Sequence, residues 1–186
     1  MLTRGLIHWL FLLLAIPFLL TGVAMAVGAF LPREHVVSST VFLACPPDSV
    51  WGVIADFPRV PEWRPEVERM EQLDDREGRA VWREVERTGP LTYEVVSWDP
   101  PRALALRIAD PDLPFGGTWT YELTSERGGS RITVTERGTI KNPVFRFLAR
   151  FAIGYHSTVD GYITALGRRL GKNVRPEHRA VPSTTG

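Results

Sequence analysis

Hydrophobic and polar positions change their period along this chain, and the changes mark its parts. Residues 1–34 are apolar almost without interruption, and Leu6 to Leu31 carries no formal charge, with His8 its only titratable group. A helix over that run would reach about 39 Å at 1.5 Å per residue, more than the roughly 30 Å of a bilayer's hydrocarbon layer. From His35 to about Gly171 the pattern is that of a folded domain. His35–Ala44 is β-branched and apolar like a strand. Pro46-Pro47-Asp48-Ser49 then opens a short helix with Asp48 or Ser49 as cap, and Arg59–Pro65 a further helical turn. After Glu66 the period becomes two, and Val67–Asp74, Arg79–Thr88, Leu91–Asp99, Ala103–Ala109, Thr118–Ser125 and Arg131–Ile140 read as strands. Short Gly- and Pro-containing connectors between them predict an antiparallel meander.

Asn142-Pro143 places a cap residue before a helix-starting proline. From there to Leu170 the apolar positions step by threes and fours, predicting one long amphipathic helix. Gly154 and Gly161 inside it imply a close approach to the sheet or a bend around a cavity. Residues 172–186 are polar and rich in Pro, Ser and Thr, and read as an unpacked tail. The organisation is thus a membrane anchor at 1–34, a binding domain at 35–171 and a disordered tail at 172–186.

The anchor has a rival reading, a cleaved signal peptide. Arg4 is basic and Ala24-Met25-Ala26 has the small-x-small form of a cleavage site. The apolar run continues past that site through Phe30 and Leu31, which favours retention as a single-pass span. Arg4 and the α-amine on one side, against Arg33 offset by Glu34 on the other, place the domain on the extracytoplasmic side.

Charge narrows the functions. Twenty-two basic and 21 acidic residues give a net charge of +1, so no global field attracts nucleic acid. Cys45 is the only cysteine, which precludes an intrachain disulfide. Phosphate loops, nucleophile elbows and metal spacings are absent as motifs, and the scattered histidines suggest no metal and no cofactor.

Several motifs resemble the START-like, or SRPBCC helix-grip, superfamily, in particular its bacterial polyketide cyclase/dehydrase and lipid-transport branch. They are Pro46-Pro47-Asp48-Ser49-Val50-Trp51 leading into Asp56-Phe57-Pro58 and Trp63, then Trp98-Asp99-Pro100-Pro101-Arg102, and Asn142-Pro143. The resemblance covers about residues 36–170. It implies an α+β helix-grip fold, an antiparallel sheet curved around a long C-terminal helix with a cavity for an apolar ligand between them.

Alternation names the residues expected to face that cavity: Leu104, Leu106 and Ile108; Trp119, Tyr121 and Leu123; Ile132, Val134 and Glu136. Phe151 and Tyr155 on the helix join them, and Phe115, flanked by Gly116 and Gly117, reads as a lid or a plain hairpin turn. Glu136 goes inward with Ile132 and Val134, as a ligand handle, a general acid or half of a structural ion pair. Glu84 and Glu86 follow Trp82 on a strand with no clean face and read as a solvated edge in preference to a wet cavity mouth. His156 and Asp160 stand at i,i+4 but lack a motif-linked nucleophile.

The expected function is a membrane-anchored, monomeric binding or carrier protein for a hydrophobic small molecule or lipid. One alternative is a cyclase/dehydrase-like enzyme using Glu136 and Tyr121; another is a cell-envelope interaction module without a ligand.

Overall fold

A computed structural model of the protein describes residues 2–181, with side chains from Ala15 onward. The chain forms two compact units: residues 1–33 with 140–154, and residues 34–139 with 155–186.

In the first unit, helix α1 (Leu2–Phe30) continues through Pro17 and packs on α3 (Pro143–Leu148). Close approach requires glycine at 28, because a Cβ there would strike the Pro143 carbonyl. Asn142 caps α3 as its sequence position suggests, accepting from the Val144 and Phe145 amides at 2.8 and 3.3 Å. Helix α1 covers the expected span, yet among the described residues no helix is long and apolar enough to cross a membrane.

The second unit is an eight-stranded antiparallel sheet with a helix on its inner face. Strand order is β2-β3-β4-β5-β6-β7-β1-β8. The strands are β1 (Glu34–Leu43), β2 (Val67–Arg76), β3 (Arg79–Glu86), β4 (Gly89–Asp99), β5 (Ala103–Ile108), β6 (Phe115–Glu126), β7 (Gly129–Ile140) and β8 (Glu177–Arg179). Between β1 and β2 lie α2 (Pro47–Ile54) and a 3-10 turn, Phe57–Glu62. Neither Asp48 nor Ser49 caps α2; Pro46 occupies that position without a side-chain bond. The buried stripe of α4 (Ser157–Arg169), formed by Val159, Tyr162, Ile163 and Leu166, joins Val37, Val41, Leu104, Tyr121, Ile132 and Val134 of the sheet in one core.

Two expectations need correction. The long helix is broken: α3 passes into a π-helical turn, Ala149–Ile153, and stops at Gly154, whose φ of 84° is left-handed and open to glycine at little cost. A Cβ at Gly161 would meet nothing within 4 Å, so no close approach explains that glycine. The polar tail is also partly ordered. Glu177–Arg179 pairs with the free edge of β1, His178 opposite Ser39, while residues 182–186 lie outside the described residues.

Gly117 sits at φ 146°, where a Cβ would strike the Arg137 carbonyl of β7. Its glycine therefore serves a tight strand approach, and Phe115 begins β6 instead of capping a mobile lid. Gly117→Ala is expected to cost about 3 kcal/mol, combining backbone strain with overpacking, measured by urea unfolding of the full chain.

Candidate functional site

Polar chemistry on the inner face of the sheet gathers around Arg64. Its position follows from the end of the 3-10 turn, where the Arg64 amide donates to Val60 at 2.9 Å and the Val67 amide to Arg64 at 3.0 Å, swinging the side chain beneath β3. There Nη1 donates to Glu84 Oε2 and Nη2 lies on Glu84 Oε1, both at 2.9 Å. The remaining donors reach Glu66 at 2.8 Å and Glu86 at 3.4 Å. Trp82, Glu84 and Glu86 alternate with Val81, Arg83 and Val85, and theirs is the inner face. Only 4% of Glu84 is exposed. The solvated edge expected for Glu84 and Glu86 is thus incorrect; a guanidinium supplied by a distant loop makes burial tolerable.

Aromatic rings surround this pair. Tyr162 of α4 is the hub, 5.3 Å from Trp63, 5.9 Å from Trp119 and 5.2 Å from Tyr121, with the Arg64 guanidinium 5.8 Å from its ring centre. Burial pushes the Glu84 carboxyl up to about 7, with Arg64 opposing and Glu86 reinforcing the shift. Burial also raises the Tyr93, Tyr121 and Tyr162 phenols, so all three stay protonated at neutral pH. For Arg64 burial acts against the charge, but Glu84 and Glu66 outweigh it and the guanidinium stays ionised.

Phe57 borders a hollow near the end of α2. Its ring lies 6.1 Å from Tyr93, 5.2 Å from Trp82 and 6.2 Å from Trp98. The hollow measures about 390 Å³ and is lined by Ala55, Phe57, Gln72, Ala80, Trp82, Val95 and Trp98, with Gly78 and Arg79 at its rim. That size falls within the usual range of small-molecule sites.

The sequence-predicted cavity residues lie elsewhere. Leu104, Tyr121, Leu123, Ile132 and Val134 are buried in the core, with Leu106, Trp119 and Tyr155 packed against it. Ile108 pairs with Tyr93 across β4 and β5. Phe115 is exposed at the start of β6, and Phe151 is exposed in the first unit, 5.1 Å from Phe147. None of them, nor Glu136, lines the hollow. Glu136 is paired, with His35 Nε2 at 3.3 Å and the Thr158 hydroxyl at 3.0 Å, which removes it as a free general acid.

A third grouping surrounds Ser39, which is fully buried. Its hydroxyl donates to Asp160 Oδ1 at 2.7 Å and lies 3.2 Å from His156 Nδ1. The residue types are those of a hydrolytic triad, but the order of contacts is wrong. Asp160 engages the serine and His178, 2.8 Å away, instead of orienting His156, and no substrate reaches a serine with no exposure. His156, Asp160 and His178 are, however, close enough to hold a metal ion.

Because Glu84 binds its proton more tightly folded than unfolded, where it titrates near 4.5, its contribution to stability is lost as pH rises from about 4.5 through about 7. Carbon NMR of the Glu84 carboxyl is expected to show a midpoint near 7, and Glu84→Gln a shallower fall in unfolding free energy across that window. A midpoint near 4.5 would contradict the burial argument.

Comparison with known proteins agrees with the architecture. The Zhui aromatase/cyclase from a Streptomyces species matches with a TM-score of 0.60 at 19% identity, covering 73% of this chain and 93% of that one. The di-domain aromatase/cyclase StfQ of the steffimycin pathway gives 0.57 at 19% identity, over 75% of this chain and 50% of that one. Norcoclaurine synthase from Thalictrum flavum gives 0.58 at 12% identity, over 74% and 86%. At these identities the likeness is one of fold. No curated protein sequence matches the chain. The family model described as polyketide cyclase/dehydrase and lipid transport matches residues 34–173, and the chain belongs to that family.

Proposed function

We propose that the protein binds a hydrophobic small molecule or lipid in the hollow walled by Phe57, Trp82, Val95 and Trp98, and acts as a membrane-tethered carrier or receptor for it. The observation that carries this reading is the aromatic wall. Three large rings border an opening with few polar groups, an arrangement that rewards apolar contact and leaves little buried polarity unpaired. Family membership supports a ligand-binding or cyclase-like role on the same fold.

A second reading, a cyclase-like enzyme, is favoured by Glu84. Burial raises its carboxyl toward neutrality, as suits proton transfer, and it stands two positions from Trp82 on the same strand face. In that reading Glu84, held by Arg64 on both oxygens, must be released from that pair before it can take the acid–base role in place of Glu136.

Binding is tested by titrating the full-length chain in mild detergent with 1-N-phenylnaphthylamine. Trp98 is 49% exposed, so Trp98→Ala is expected to spare the fold while weakening the probe about tenfold, for a loss of on the order of 1.4 kcal/mol. Ala80→Trp, which fills the hollow, is expected to abolish binding. Unchanged affinity in both variants would exclude this site.

The tether rests on Leu6–Leu31 and on apolar surface in the first unit. Ile16, Phe18, Leu19, Leu20 and Phe30 of α1 are exposed, as are Phe145, Phe151 and Ile153, a surface better suited to lipid than to water. We place the domain on the extracytoplasmic side, as a monomer. Carbonate extraction is expected to leave the full chain with membranes, and external protease to digest the domain in spheroplasts. A mature N-terminus near Val27, with the chain in the soluble fraction, would show instead a cleaved signal.

A further inference from the structure

We propose that His156, Asp160 and His178 form a Zn(II) site that joins the C-terminal edge strand to α4. One ligand atom from each lies within 4.8 Å of the others. Two imidazoles and one carboxylate are a donor set suited to zinc, with a fourth position left for water or an anion.

The backbone brings the three together from separate elements. His156 and Asp160 are one helical turn apart at the start of α4, so both side chains leave the helix on one side. His178 arrives from β8, whose register sets it opposite Ser39 of β1. The result is an imidazole pair stacked at 3.7 Å and 15°, with the carboxylate 2.8 Å from His178 Nε2.

Ser39 supplies what a ligand set needs behind it. Its buried hydroxyl donates to Asp160 Oδ1 at 2.7 Å and contacts His156 Nδ1 at 3.2 Å, holding both groups from the protein side as outer partners of metal ligands do. The opposite side is open, with 54% of the His178 side chain exposed and 29% of Asp160. An ion can therefore enter, and a solvent ligand can complete a tetrahedron. The network has a purpose beyond the hydrophobic core. Edge strand β8 has only three residues, and a coordinate bond from His178 would fasten it to the helix.

The test is calorimetric titration of the full-length chain with Zn(II) alone, after treatment with a chelator. One ion per chain is expected, with affinity falling in acid as protons compete with the ion for its ligands. Asp160→Asn and His178→Ala should each weaken binding at least tenfold, and Ser39→Ala about tenfold as an outer partner. His178 lies on an exposed edge, so circular dichroism of that variant should match the wild type. Co(II) should give the intense visible bands of four-coordination, lost in His178→Ala. Absence of saturable binding, or equal affinity in wild type and His178→Ala, would overturn the proposal.

Discussion

A guanidinium beneath a sheet must be neutralised, and much of this domain's interior is arranged around that requirement. Arg64 is held on both oxygens of Glu84 with Glu66 and Glu86 on its remaining donors. Removing one partner would strand a buried charge, at a typical cost of 3–5 kcal/mol. The pair fixes the loop after the 3-10 turn against β3 and gives Tyr162 a cation to cover. With Trp63, Trp119 and Tyr121 packed on Tyr162, the space between sheet and α4 is occupied by side chains there.

That occupation decides where a ligand can go. The rings of Trp82 and Trp98 are not covered to the same extent, and both line the hollow. Trp82 and Glu84 belong to one face of one strand, so the apolar wall and the buried carboxylate are linked by two residues of backbone. A ligand bound at Trp82, as proposed, would therefore share its strand with Glu84.

The sheet was legible in the sequence because alternation is a local property. Leu104, Leu106, Trp119, Tyr121, Ile132 and Val134 all alternate cleanly, and their strands form as read. Glu84 was not legible, because its burial rests on Arg64, a partner 20 residues earlier in the chain. The break at Gly154 was hidden by apolar periodicity that continues on both sides of it. His156 and Asp160 could be paired from their i,i+4 spacing, whereas His178 lies in a polar stretch with no strand pattern and is ordered only by the open edge of β1. The burial of Glu84 and the ordering of His178 each depend on a contact across the fold that no sequence window contains.

On the proposed reading the ligand sits against Phe57, Trp82 and Trp98 while the interior around Tyr162 stays closed. Intermolecular NOEs from bound 1-N-phenylnaphthylamine to the isotope-labelled full-length chain test this directly. The expected contacts are to the indoles of Trp82 and Trp98, the Phe57 ring and the Val95 methyls. Contacts confined to Leu104, Tyr121, Ile132 and Val134 would contradict it and place the ligand between sheet and helix.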